Sequence, residues 1–150
     1  MVEIQAEKER IVVGVDGSKP SQDALRWAVR QARLVTGVVQ AVIAWDYPQL
    51  YGLSSWVPTP ENPTPEGVAR SVLSATIDEV VGPERPVGIQ SVVSRGSAAQ
   101  VLLEAAEGAS LLVVGNRGHG GFTGALIGSV SQHCAQHAHC PVVVLRGTKD

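Results

Sequence analysis

Charge is scarce in this chain, and so are aromatic rings and cysteines. Charged residues make up 17% of the 150, aromatic residues 4%, and cysteine occurs twice. A charged fraction below the ~25% of ordinary globular proteins argues against disorder and leaves surface for a partner to cover. Lys and Arg number 12 against 14 Asp and Glu, a formal net charge of −2, and the basic side chains are spread thinly apart from Arg26, Arg30 and Arg33. Without a basic stripe, no nucleic-acid partner is expected. No stretch reaches the ~20 consecutive apolar residues of a membrane span. Residues Met1 to Arg10 are polar, with none of the apolar centre of a signal peptide, and Cys134 and Cys140 do not form a disulfide framework. The expected compartment is therefore the cytoplasm.

What remains is an apolar, glycine-rich chain of one-domain size. Apolar residues reach 44%, with 16 glycines and 9 prolines. At this length a fold hides roughly 70% of the surface its unfolded chain exposes. Small apolar side chains suit a layered α/β fold better than a sandwich built on large ones. We expect a single domain over 1–150, with residues 1–9 a loose N-terminus.

The apolar pattern alternates between two kinds of segment. Ile11 to Val15 is short, continuous and mostly β-branched, as a strand covered on both faces should be. Asp16-Gly17-Ser18 stops it, and Pro20 and Ser21 open a helix. In that helix Ala24, Leu25, Ala28, Val29, Ala32 and Val35 recur at helical spacing, while Arg26, Arg30 and Arg33 face away. Gly37 should end it. Strands are expected at Val38–Trp45, Val87–Ser94, Leu111–Val114 and Pro141–Leu145. Helices are expected at Glu66–Val81, at Ser97–Glu107 with Gly108 as its cap, and at Ser129–Ala138. Strands separated by helices imply a parallel sheet. The expected fold class is α/β, a five-stranded parallel doubly wound sheet with helices on both faces. Ligands in such sheets lie beyond the carboxyl ends of the strands, at the switch in strand order. Asp16, Trp45-Asp46, Ser94-Arg95 and the loop from Gly115 are therefore the places to look.

Residues 46–65 stand apart. Five of the nine prolines fall here, with Tyr47, Tyr51 and Trp56 among them. A loop of this length is either a disordered insertion or a lid or contact surface, and the sequence leaves both open.

The chemistry concentrates after the fourth strand. Six glycines fall between positions 115 and 128, in the run Gly115-Asn116-Arg117-Gly118-His119-Gly120-Gly121 through Gly124 to Gly128-Ser129. Glycine lets consecutive N–H groups converge on an anion, and the loop then enters a helix whose free N–H groups favour phosphate. Ser129 and Ser131 stand at the helix start, where a hydroxyl serves as a cap or as a phosphate donor. The loop is not a Walker A, because Gly-Lys-Ser/Thr occurs nowhere. It is not a dinucleotide fingerprint, because Thr123 stands where a third glycine belongs.

Gly115-x2-Gly118-x9-Gly128-Ser129 is similar to the G-2x-G-9x-G-[S/T] nucleotide loop of the universal stress protein family. Val13-Gly14-Val15-Asp16-Gly17-Ser18 resembles that family's first strand and acidic turn. His137-Ala138-His139-Cys140-Pro141-Val142-Val143-Val144 resembles its last helix-to-strand junction. The resemblance runs from about residue 9 to 147 and is weakest in the proline-rich loop. It implies a single-domain bacterial type of the ATP-binding branch, acting as a nucleotide-dependent stress-response regulator. Carried over by position, Gly14, Val15 and Asp16 meet the adenosine, with Asp16 at the ribose hydroxyls. The backbone around Ile43 and Ala44 faces the adenine edge. Gly115, Gly118, Gly128, Ser129, Val130 and Ser131 cradle the phosphates of ATP. Arg117 and His119 add charge although they are not motif positions, and Mg²⁺ enters only through the phosphates. Cyclic AMP and AMP remain open as ligands.

No catalytic residue is expected. The phosphate loop holds no lysine, and no second carboxylate is placed to hold a metal or orient water. A slow ATP hydrolase using Arg117 or His119 stays open, as does a dimeric interaction module with a vestigial loop. His133 and His137 have the four-residue spacing of a helical metal pair, but the family-like junction accounts for His139 and Cys140, and no metal site is expected. Cys140 reads as a small buried apolar residue. In the family's usual strand order the last strand lies at a sheet edge, and an apolar edge invites a second copy. A homodimer through residues 141–146 is the expectation.

Overall fold

The structure, a computed structural model, describes residues 8–47, 64–116 and 128–146. Nine elements alternate along them: β1 (Arg10–Gly14), α1 (Lys19–Val35), β2 (Val38–Trp45), α2 (Pro65–Val81), β3 (Ile89–Arg95), α3 (Ala98–Ala105), β4 (Leu111–Gly115), α4 (Ser129–His137) and β5 (Val142–Leu145). The five strands form one sheet in the order β3-β2-β1-β4-β5, and every pairing is parallel. The α/β doubly wound expectation holds. Tyr51 and Trp56, named above in the proline-rich loop, lie outside the described residues.

Strand alternation sorts the core into two layers. Ile11, Val13, Val39, Ala41, Ile43 and Val113 turn to one face and pack with Ala24, Leu25, Ala28 and Ala32 of α1 and Leu73 and Ile77 of α2. Val12, Val42, Leu112 and Val114 turn to the other and meet Val101 and Leu102 of α3 and Cys134 of α4. Ile11, Val12 and Val13 expose 1% or less, and full burial of such side chains contributes about 1.5–3 kcal/mol each. The apolar runs are continuous because β1 is covered on both faces.

Several expected boundaries move, each for a local reason. Gly37 does not terminate α1. The left-handed cap is Thr36, at φ 56°. Gly37 is needed for a close approach, since a Cβ there would lie 2.5 Å from the Glu9 carbonyl oxygen. Helix α2 starts at Pro65, because Thr64 accepts from the Gly67 N–H and proline suits a first turn that needs no donor. Helix α3 ends at Ala105 with Ala106 as its cap, so Gly108 is not the cap. It lies in the following turn with φ 76°. β3 begins at Ile89, two residues later than its apolar pattern suggests.

The order of strands creates one switch. From β1 the chain builds outward through β2 and β3 on one side, then returns to lay β4 and β5 on the other. The carboxyl ends of β1 and β4 are therefore neighbours whose following segments diverge. Glycine allows the neighbouring elements to crowd there. A Cβ on Gly115 would lie 2.7 Å from Pro20 Cβ and 2.8 Å from its backbone carbon, whereas one on Gly14 would meet the tip of Leu102 at 2.9 Å. Backbone cannot yield and a leucine tip can. Gly115→Ala is expected to destabilise by about 1–3 kcal/mol, and Gly14→Ala by less, in urea titrations. The reverse order would overturn this packing account.

Candidate functional site

The end of β1 is fastened before it turns. The Val15 N–H donates to Val42 C=O at 2.8 Å, the last link to β2. Asp16 then accepts through Oδ1 from the Ser18 N–H at 2.9 Å and from the Ser18 hydroxyl. Ser18 also caps α1, taking the Ser21 N–H on its Oγ at 3.4 Å, while Ser21 Oγ accepts from the Asp16 N–H at 3.2 Å and donates to Ser18 C=O at 2.9 Å. Gly17, at φ 84°, supplies the reversal. The result is a helix cap folded onto a carboxylate, which orients Asp16 at the mouth of the switch.

On the other side, Asn116 organises the loop. Its N–H donates to Leu145 C=O at 2.8 Å, and its C=O accepts from the Gly128 N–H and from Ser131 Oγ at 3.3 Å. The two ends of the glycine-rich loop thus meet at one peptide. Arg117, Gly118 and His119, three of the expected ligand residues, lie outside the described residues.

Helix α4 begins at Ser129 with Gly128 as N-cap, so no cap side chain accepts from its first N–H groups. Helix geometry leaves the N–H groups of Ser129, Val130 and Ser131 without intrahelical acceptors, and the helix dipole adds partial positive charge. Gln132 makes the first internal bond, to Gly128 C=O at 2.9 Å. The serine hydroxyls divide between two roles. Ser129 is exposed. Ser131 is 2% exposed, and its hydroxyl donates to Gly128 C=O at 3.0 Å. That hydroxyl holds the loop base together, and Ser131 offers a ligand only its backbone N–H.

The two residues expected at the end of β2 also separate. Val42 directs its backbone groups to β1, as its bond with Val15 shows. Along a parallel strand the direction alternates, so Ala44 presents its N–H and C=O to the side that β1 leaves at Asp16. Ile43 turns its backbone to β3 and its buried side chain to the α1–α2 layer. Asp16, Ala44, Gly115 and the start of α4 thus stand at the carboxyl ends of three adjacent strands. Asn116, Ser18 and Ser21 were not among the expected site residues. The Asp-Gly-Ser turn before a helix signals the latter two, but nothing in the sequence marks Asn116.

The other clusters lie elsewhere. His133 and His137 stack on an exposed face of α4 with ring centroids 4.5 Å apart. No group of three metal-ligating side chains occurs among the described residues. Cys134 is the fully buried cysteine, and burial raises its thiol pKa. Cys140, expected as a small buried apolar residue, is half-buried and packs at the edge of the α3–α4 layer. Burial raises its pKa too, with the Glu107 charge adding and Arg10 opposing. A groove beside α3 is lined by Arg10, Gln40, Ser94 and Glu104 and contains none of the switch residues. No described helix is long and apolar enough to cross a membrane.

The fold agrees with the family comparison. The universal stress protein family model matches residues 8–146, and the chain belongs to that family. Universal stress protein Rv2623 of Mycobacterium tuberculosis is 36% identical over 136 residues, covering 91% of this chain and 44% of the relative. The chain spans about half the length of the curated relatives it matches. A solved universal stress protein in complex with cAMP superposes with TM-score 0.68 at 24% identity, over 95% of this chain and 100% of that one. The Arabidopsis thaliana family protein At3g01520 with AMP bound gives 0.59 at 19% identity, over 95% of this chain and 94% of that one.

The hydroxyl assignment has a direct test. Ser131→Ala removes a buried donor and is expected to destabilise by about 1–2 kcal/mol. Ser129→Ala, at an exposed position, should stay within about 0.5 kcal/mol of the parent. Equal losses in urea unfolding would contradict the division.

Proposed function

We propose that this chain binds one adenine nucleotide at the carboxyl ends of β1, β2 and β4, that ATP is the occupant, and that the protein is a nucleotide-dependent stress-response regulator with little or no hydrolysis. The observation that carries this reading is the start of α4. Its N-cap is a glycine with no side-chain cap, it closes the Gly115-x2-Gly118-x9-Gly128-Ser129 loop, and it lies beyond the same switch as the oriented Asp16 carboxylate. An uncapped helix start suits phosphate. A fixed carboxylate suits a ribose diol.

The chain would meet such a ligand in three parts. The N–H groups of Ser129, Val130 and Ser131 would hold phosphate oxygens, with Gly115, Gly118 and Gly128 letting backbone approach and Arg117 and His119 adding charge. Asp16, beside Gly14 and Val15, would accept from the ribose hydroxyls. The Ala44 N–H and C=O, next to Ile43, would meet the ring nitrogen and exocyclic amino group of adenine. Mg²⁺ would be held chiefly by phosphate oxygens and water. The cAMP and AMP complexes of proteins with this fold support the adenosine part of the reading and keep those two nucleotides as competing occupants.

The phosphate loop contains no lysine, and a transferring site would need charge on the γ-phosphate. Turnover is therefore expected well below ~1 s⁻¹. The cytoplasm is the proposed compartment. We also propose a homodimer through 141–146, because β5 is an edge strand of four half-buried apolar residues, a surface that a second strand would cover.

Denaturing freshly purified protein and identifying released nucleotide by mass spectrometry tests the central reading. ATP at about one per chain is the expected result. AMP or cAMP would keep the site and replace its occupant, and an empty protein that also ignores added ATP would overturn the reading in favour of an interaction module. For the dimer, solution mass should be twice the 15.7 kDa of the chain, and a 15.7 kDa species at micromolar concentration would refute it.

A further inference from the structure

We propose that Arg95 is a positioning residue for base recognition. Its guanidinium locks the far end of β2, so that the Ala44 peptide meets the nucleotide base in one register. The inference rests on the nucleotide reading above and assigns a role to a side chain outside the expected ligand set.

The need for a lock follows from the sheet. Up to Val42, β2 is paired on both sides, with β1 through Gly14 and with β3 through Val92. Beyond Val42 the β1 side is open, because that strand has turned at Asp16. From Ile43 to Trp45 the ladder continues on the β3 side, ending at the pair Trp45 and Arg95, with the Gly96 N–H donating to Trp45 C=O at 2.8 Å. A base placed beside Ala44 would hydrogen-bond to a strand held along one edge.

Arg95 supplies what the missing strand does not. Its guanidinium carbon lies 4.7 Å from the Tyr47 ring centroid and 5.8 Å from that of Trp45. Its Nε donates to Asp46 Oδ1 at 3.3 Å, and the same oxygen accepts the Tyr47 N–H at 2.8 Å. Trp45 and Tyr47 meet edge to face at 5.5 Å. One side chain thus engages three consecutive residues just after Ala44. The Arg95 and Asp46 side chains are 61% and 55% exposed, so the core does not require this arrangement. Trp45 also packs on the α1–α2 layer, which anchors the cluster to the rest of the fold.

Two hydrogen bonds to a base edge depend steeply on angle, and a recognition group must be held within roughly 0.5 Å to be selective. Releasing residues 45–47 should therefore weaken base-dependent binding and leave the phosphate contacts at α4 intact. The chemistry identified is the amino-bearing edge of adenine, against a purine with a carbonyl in its place.

Calorimetric titration of ATP, inosine triphosphate and tripolyphosphate into the full chain tests this, with Arg95→Met and Arg95→Lys compared to the parent. Arg95→Met keeps the apolar stem and removes the charge. It should lose about three- to tenfold in ATP affinity, the scale of an exposed cation–π contact with its ion pair. The preference for ATP over inosine triphosphate should shrink, tripolyphosphate affinity should stay within twofold, and the melting temperature should fall by no more than a few degrees. Arg95→Lys should recover most of the loss, because an ammonium keeps the charge near both rings and Asp46. Arg95→Met binding ATP like the parent, or weakening tripolyphosphate equally, would overturn the inference while leaving the nucleotide reading intact. A parent chain that takes up none of the three would overturn both.

Discussion

One residue, Asn116, holds the carboxyl end of this molecule together through its backbone. Its N–H reaches β5 at Leu145, and its C=O receives the first backbone donor before α4 and the buried Ser131 hydroxyl. A single residue thus ties the end of β4 to its neighbouring strand, closes the glycine-rich loop and seats the next helix. A half-buried carbonyl deprived of its partners would carry part of the desolvation penalty of about 1–3 kcal/mol for a fully buried one. Two donors from one turn of α4 prevent that, and in doing so they fix where the helix begins. The orientation of the uncapped N–H groups follows from this anchoring.

The glycines of the motif do unlike things. Gly115 exists where Pro20 presses against the end of β4, a steric demand that would hold with no ligand. Gly128 sits in ordinary extended geometry, at φ −68° and ψ 161°, where any residue could stand. Serine, threonine or aspartate at that N-cap would put a side-chain oxygen on the helix's own free donors. Glycine leaves those donors without a cap side chain. The same spacing pattern therefore mixes packing with the proposed recognition, and only the neighbours of each glycine tell which is which.

Asp16 and Arg95 illustrate a shared device at two strand ends. Each charged group is held by polar and ring contacts at a strand end, Asp16 through Ser18 and Ser21 of its own turn, and Arg95 through Trp45, Asp46 and Tyr47 of the adjacent strand. Loops and strand ends have freedom that the sheet interior lacks, and short polar contacts remove it where the core cannot. Stability resides in the buried valines of β1 and β4, and the proposed function resides at the rim, where these local contacts replace packing.

Much of this fold could be read from local pattern. β2 was expected at Val38–Trp45 and lies there, and the apolar face of α1 was expected at Ala24, Leu25, Ala28, Val29, Ala32 and Val35, of which the first five are buried and Val35 partly so. Such features depend on periodicity within a few residues, which the sequence states directly. The doubly wound class followed from alternation of the two periods. Strand order, by contrast, is a matter of which β-branched run pairs with which, and the runs themselves are nearly interchangeable. The expected glycine caps failed at Gly37 and Gly108 because the first is needed for its missing Cβ, at a close approach to Glu9, and the second for its positive φ in a turn. Tertiary structure alone decided that Ala44 and not Ile43 faces the open side, that the Ser131 hydroxyl turns inward, and that Arg95 lies over two rings. Each of these depends on a partner about 15 to 50 positions away or on the phase of a ladder, and neither is written into any short stretch of chain.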